Sequence, residues 1–152
     1  CASVKRLFRI CLLLQKVEQT LHQSEGSFGG QVNPSAFIFP KGVEIHRFVP
    51  DLDRHLAACD LALVQGGLTT SMELTAAGTP FLYFPLKNHF EQNFHVAYRL
   101  DQYNAGRRMV YAESSPDRIA LAMVEELAHP KTFKPVEAGG AARAAAMLSE
   151  LL

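Results

Sequence analysis

The middle of the chain alternates between continuous apolar runs and a segment of helical pattern. Residues 61–64 and 81–84 are short apolar runs, as expected for strands buried on both faces of a parallel sheet. Between them, Gly66 and Gly67 precede a predicted helix over residues 70–77. This strand–turn–helix–strand order places a glycine turn at a helix N-terminus. Free backbone N–H groups and the positive end of the helix dipole suit an anion such as a phosphate there.

The same alternation extends over the rest of the chain and predicts an α/β fold. We expect a Rossmann-like open parallel sheet with flanking helices and a ligand at the carboxyl ends of its strands. The predicted strands are residues 36–39, 43–49, 61–64, 81–84 and 107–111. The predicted helices are residues 4–22, 50–58, 70–77, 91–100, 115–127 and 142–152.

The N-terminal residues have a different sequence pattern from the rest of the chain. Residues 4–22 carry apolar side chains spaced mostly by three and four, which predicts a helix that packs inward, with a membrane-surface segment as the alternative. A loop rich in Gly, Ser and Asn follows at residues 24–34. We therefore divide the chain into an N-terminal helix and loop over residues 1–34, taken as a truncated domain start, and a Rossmann-like domain over residues 35–152.

The net charge, the cysteine spacing and the length of the apolar runs indicate which partners and which cellular location to expect. The 152 residues have a formal net charge of zero, which gives no reason to expect nucleic acid as a partner. The three cysteines lack CxxC spacing, so we expect neither a disulfide framework nor a zinc site, and a reducing, cytoplasmic location fits. The longest apolar run is too short to span a bilayer, while association with a membrane surface stays open.

A series of motifs between residues 43 and 106 resembles one family. The motifs are, in order, Phe48-Val-Pro50, Gln65-Gly-Gly-Leu-Thr-Thr-Ser-Met-Glu73, Gly78-Thr-Pro80, Pro85-Leu86 and Glu91-Gln-Asn93. Their order and spacing are similar to those of the C-terminal, donor-binding half of GT-B fold glycosyltransferases, in particular the UDP-glycosyltransferase and glycosyltransferase family 28 type. The resemblance implies a hexosyltransferase domain that binds a nucleotide sugar, with a UDP-sugar expected.

Several site residues follow from this resemblance, each with a structural alternative. Phe48 stands where related plant enzymes stack a tryptophan on uracil, and the alternative is a core phenylalanine. Glu73 is expected to accept the ribose hydroxyls, but Thr70-x-x-Glu73 also fits a helix capping box. The predicted substrate-binding residues are Phe48, Gln65, Gly66, Gly67, Leu68, Thr69, Thr70, Glu73, Glu91 and Gln92.

The remaining predicted contacts concern the diphosphate and the transferred sugar. Gln65 stands where many relatives carry a histidine, and its amide can donate a hydrogen bond but cannot become cationic. Glu91 and Gln92 resemble an acidic–Gln pair that grips the sugar hydroxyls, and a carboxylate favoured by the helix dipole is the alternative for Glu91. Arg107 and Arg108 are either phosphate neighbours or solvated.

The implied reaction is glycosyl transfer to a hydroxyl or amine. The resemblance implies that helix N–H donors, rather than a metal, stabilise the leaving UDP. It also implies no separate cofactor, since the nucleotide sugar is the donor substrate. No residue is predicted as the general base. The resemblance implies that the base and the acceptor site lie in a separate N-terminal domain, so we expect a missing N-terminal domain or a partner subunit to supply them. The alternatives are a non-catalytic sugar-nucleotide-binding module and a UDP-sugar 2-epimerase-like domain.

Overall fold

The described residues form a parallel sheet of four strands, which follow one another across the sheet in sequence order. The structure, a computed structural model, describes residues 10–12, 49–137 and 139–151. Ile10 aligns with Leu61 and Ala62 with Phe81, so the sheet joins segments that are far apart in the sequence. The strands are β1 Ile10–Leu12, β2 Leu61–Val64, β3 Phe81–Tyr83 and β4 Arg107–Arg108.

The helices lie between and after the strands. A π-helical segment, Glu91–Val96, runs directly into α3. The α-helices are α1 Leu52–Ala58, α2 Leu68–Ala77, α3 Ala97–Tyr103, α4 Pro116–Ala128 and α5 Gly140–Ser149, and a short 3₁₀ turn spans Tyr111–Glu113. The predicted α/β fold with an open parallel sheet is confirmed.

Two apolar clusters cover the two faces of the sheet. Alternate residues of β2 belong to different clusters, because successive side chains of a strand point to opposite faces. On one face, Ala62 and Val64 pack with Leu56, Leu74 and other side chains of α1 to α3. On the other face, strand residues pack with α4, in a cluster formed by Leu61, Leu63, Leu82 and Ala122. The prediction of a strand buried on both faces is confirmed for β2.

The helix predicted over residues 4–22 is wrong at Ile10–Leu12, which forms β1. The contiguous apolar residues at this point pair in parallel with β2, and this long-range pairing outweighs the helical spacing of the segment. The rest of that range and the strand predicted at 36–39 lie outside the described residues. So does the strand predicted at 43–49, except for Val49, which is not in a strand.

Two element boundaries also differ from the predictions. The strand predicted over 107–111 ends at Arg108, and the chain turns at Tyr111–Glu113. At the start of α1, Asp51 occupies the cap position in a left-handed conformation, with φ 48°, and its side chain makes no capping bond. Ser115 caps the start of α4, because its hydroxyl accepts from the Arg118 N–H at 3.3 Å.

Candidate functional site: the carboxyl edge of the sheet

The turn after β2 requires glycine at its second residue. Gly66 is buried with φ +92°, and a Cβ there would lie 3.4 Å from both Tyr83 Cδ2 and Pro85 Cα. The loop after β3 therefore packs closely against this turn, and Phe84 N–H also donates to Val64 O at 2.9 Å. Because both loops leave the carboxyl ends of neighbouring parallel strands, the structure brings together the two halves of the predicted site.

Helix α2 begins at this turn without a side-chain cap. Gly67 is the cap residue, in an extended conformation, and a Cβ at Gly67 would meet no atom of the described residues within 4 Å. The first N–H groups of an α-helix lack carbonyl partners within it, here those of Leu68, Thr69 and Thr70. Open space thus adjoins several backbone donors at the positive end of the helix dipole.

The capping-box alternative for Glu73 is wrong. The cap is Gly67, so Thr70 lies inside α2 and cannot act as the cap residue that the box requires. Glu73 is exposed on the second turn, and its carboxylate makes no hydrogen bond or ion pair with any described residue. The carboxylate is therefore unoccupied, as a ribose ligand would need. The ribose role itself stays a prediction.

Two polar atoms beside the turn have no partner. The Oε1 atom of Gln65 and the Oγ atom of Ser71 are buried and accept or donate no hydrogen bond in the described part of the chain. Such atoms cost free energy unless something bonds to them. Gln65 was predicted as a site residue and Ser71 was not. The sequence signal for Ser71 was its place inside the motif that ends at Glu73.

The loop after β3 leads to Glu91 and Gln92, which differ in their exposure to solvent. Glu91 is exposed at the start of the π-helical segment, a type of turn that is frequent at functional sites. Gln92 is 7% exposed, and its Oε1 accepts from the Leu86 N–H at 2.9 Å. Its Nε2 makes no hydrogen bond with the described residues, so Gln92 retains a free donor.

The two arginines of β4 are engaged with protein groups. Arg107 Nη1 lies 2.6 Å from Glu125 Oε2 and 3.8 Å from Glu126 Oε1. Arg108 Nη2 donates to Asn93 Oδ1 at 2.7 Å. Neither arginine is therefore simply solvated, and a role beside a phosphate stays a prediction. Among the groups near this edge, burial raises the pKa of Tyr83, and the charge of Arg108 partly opposes the shift.

A shallow groove of about 360 Å³ lies on the other side of β4, against α4. It includes Arg107, Val110, Arg118 and Leu121 in its lining. Arg118 Nη1 donates to Glu113 O at 2.7 Å, so this arginine is also engaged. Besides the two arginines of β4, the groove contains none of the predicted substrate-binding residues that the structure describes, and the candidate site is the open edge around Gly67 instead. Phe48 lies outside the described residues.

Comparison with known families decides the classification. The family described as "Glycosyltransferase family 28 C-terminal domain" matches residues 7–151. The chain belongs to this family. The motifs around Gly66 and Glu73 resemble those of family 28 C-terminal domains, and the family predicted from that resemblance is confirmed.

Relatives of the domain carry glycosyltransferase names. An uncharacterized glycosyltransferase of Methanosarcina mazei is 34% identical over 107 residues, which cover 70% of this chain and 27% of that protein. The UDP-N-acetylglucosamine--N-acetylmuramyl-(pentapeptide) pyrophosphoryl-undecaprenol N-acetylglucosamine transferase of Methylorubrum populi is 32% identical over 108 residues, or 70% of this chain and 29% of that enzyme. The domain thus spans less than a third of these relatives.

Solved structures agree on the fold. The glycotransferase of kitacinnamycin matches with a TM-score of 0.52 and 27% identity, over 66% of this chain and 25% of that one. Spinosyn forosaminyltransferase matches with a TM-score of 0.57 and 20% identity, over 80% and 35% of the two chains, and supports the fold alone. No helix among the described residues has the length and hydrophobicity that a membrane span requires.

Proposed function

We propose that this family 28 domain binds a nucleotide sugar, specifically a UDP-sugar, and supplies the donor site of a glycosyltransferase. The observation that carries the proposal is the uncapped start of α2, where open space at Gly67 meets unpaired N–H donors. The unoccupied carboxylate of Glu73 stands on the second turn of the same helix. A nucleoside diphosphate combines an anion with ribose hydroxyls, which matches these two features.

The diphosphate is proposed to lie over the segment from Gly66 to Thr70. Negative charge that develops on the leaving UDP is stabilised there by backbone N–H groups and the helix dipole. The Gln65 Nε2 can donate to a phosphate oxygen, whereas its unpaired Oε1 can accept only from a hydroxyl or N–H group of a ligand. The sugar is proposed to contact the Glu91 carboxylate, an acceptor, and the Gln92 Nε2, a donor.

The acceptor and the general base are proposed to come from an N-terminal domain or a partner subunit. The named relatives are more than three times as long as the region they share with this chain. The name of the Methylorubrum populi enzyme gives UDP-N-acetylglucosamine as its donor, which supports UDP as the nucleotide here. Phe48 is proposed to contact the uracil. The family match supports a transferase over a 2-epimerase-like domain.

Isothermal titration calorimetry with UDP, ADP and several UDP-sugars tests the proposal. We expect UDP to bind in preference to ADP, and Glu73→Ala to weaken UDP binding about tenfold, or 1.4 kcal/mol, through the lost ribose contacts. Glu150→Ala is the matched control, because Glu150 is exposed and lies beyond α5. No binding of any nucleotide would refute the donor site, and equal affinities of the two variants would remove Glu73 from it.

A further inference from the structure

The side-chain amide of Asn93 joins two residues of the loop after β3 to a residue of β4. Its Nδ2 donates to the carbonyl oxygens of Leu86 and His89, at 2.6 and 2.8 Å. Its Oδ1 accepts from Arg108 Nη2 at 2.7 Å. One side chain therefore connects both ends of the turn after β3 to the end of β4.

Arg108 and the two carbonyl oxygens together determine which way this amide faces. A guanidinium group donates hydrogen bonds and cannot accept them, so the Asn93 oxygen must face Arg108. The nitrogen then faces the two carbonyls. Rotating the amide by half a turn would direct its oxygen at the Leu86 and His89 oxygens and lose all three bonds. The arrangement therefore has one satisfied orientation, and a residue of β4 selects it.

The same turn holds Gln92. Leu86 donates its N–H to Gln92 Oε1 at 2.9 Å, while its carbonyl accepts from Asn93. The orientation of the Gln92 amide, and hence of its free Nε2, thus depends on where Leu86 is held. Gln92 N–H also donates to His89 Nδ1 at 3.4 Å. Leu86 and His89, whose carbonyls accept from Asn93, therefore both contact Gln92.

We propose that Asn93 is a positioning residue for the transferred sugar and that Arg108 orients its amide. The inference rests on the donor site proposed above, in which Gln92 Nε2 meets a sugar hydroxyl. Asn93 does not touch the sugar in this scheme. It fixes the Leu86–His89 turn, so that the Gln92 donor is placed before the sugar arrives and little ordering cost remains on binding.

The ratio of dissociation constants for UDP-glucose and UDP tests this role. UDP reports the α2 start alone, whereas UDP-glucose also reports the sugar contacts. Asn93→Asp keeps the shape and the bond from Arg108 but turns an acceptor toward two carbonyls, so the turn should shift. We expect the ratio to rise about tenfold while UDP affinity stays within about twofold. Asn88→Asp is the matched control, since Asn88 is an exposed residue of the same loop and carries the same added charge.

A graded second variant separates positioning from general damage to the fold. Arg108→Met leaves the two Asn93 donor bonds in place, so the ratio should rise only about threefold. This variant carries the test if Asn93→Asp does not fold. An unchanged ratio beside intact UDP affinity would overturn the positioning role alone, as would parallel weakening of UDP and UDP-glucose. Failure of the wild type to bind UDP would overturn the donor site and this role together.

Discussion

The adjacent glycines of the first turn offer a test that separates stability from binding. Gly66 has φ +92° and close neighbours, with a prospective Cβ at 3.4 Å from Tyr83 and Pro85 atoms. Gly67 has φ −70° and ψ 142°, and a Cβ there would meet open space. Alanine at Gly66 should therefore weaken the fold, whereas alanine at Gly67 should fill the space proposed for a phosphate.

The magnitudes follow from these two geometries. A non-glycine residue held in a sparsely populated backbone region costs about 1–3 kcal/mol, so we expect Gly66→Ala to lose about 2 kcal/mol of unfolding free energy. For a domain of this size, that loss lowers Tm by about 4–8 °C. Gly67→Ala should change stability by less than about 1 kcal/mol, because its backbone angles suit alanine and only a weak cap preference is lost.

Urea denaturation and UDP calorimetry on the two variants provide the measurement. Gly67→Ala should weaken UDP binding about tenfold, which corresponds to 1.4 kcal/mol. If the two variants lost equal stability, the backbone argument at Gly66 would be refuted. If Gly67→Ala bound UDP as tightly as the wild type, the phosphate could not lie over Gly67.

Two further predictions concern the core beneath the site. Gly106 and Gly78 both have positive φ, +66° and +70°, but only at Gly106 would a Cβ lie 2.5 Å from the buried ring of Phe81. Gly106→Ala should therefore lose about 2 kcal/mol more than Gly78→Ala in urea denaturation, and equal losses would contradict the overlap. Burial raises the pKa of Tyr83, so its contribution to stability is complete below its unfolded pKa of about 10 and is lost as the pH rises through the higher folded value. Tyr83→Phe should therefore lose less stability than the wild type above about pH 10, measured by urea denaturation across that range, and an unaltered alkaline loss would exclude Tyr83 as its source.

Local sequence was sufficient for the centre of the fold. Leu61–Val64 is uniformly apolar, Gly66 must adopt positive φ, and the helix after it ends at Gly78, which caps it in a left-handed conformation. Each of these features depends on residues within a few positions of one another. For the same reason, the motif from Gln65 to Glu73 predicted both the family and the position of the candidate site.

Contacts between segments that are distant in the sequence could not be predicted from local sequence patterns. Ile10–Leu12 has helical spacing around it, and only its pairing with β2, some 50 positions away, makes it a strand. Helix α2 begins at Leu68 rather than at Thr70, and its cap residue is Gly67, so Glu73 has no capping role.

The hydrogen bonds of the Asn93 amide are the clearest example of contacts that the sequence could not predict. Its sequence context marks the end of a motif, but its partners include Arg108, 15 residues further along. Residue types near Asn93 predict that polar contacts form, because glutamate, glutamine and asparagine all carry hydrogen-bonding groups. The sequence determines which groups are available, and the packing of β3, β4 and the π-helical segment decides which of them are already satisfied and which remain free for a ligand. Hydrogen-bond partners depend on distances of about 3 Å that only the folded chain sets.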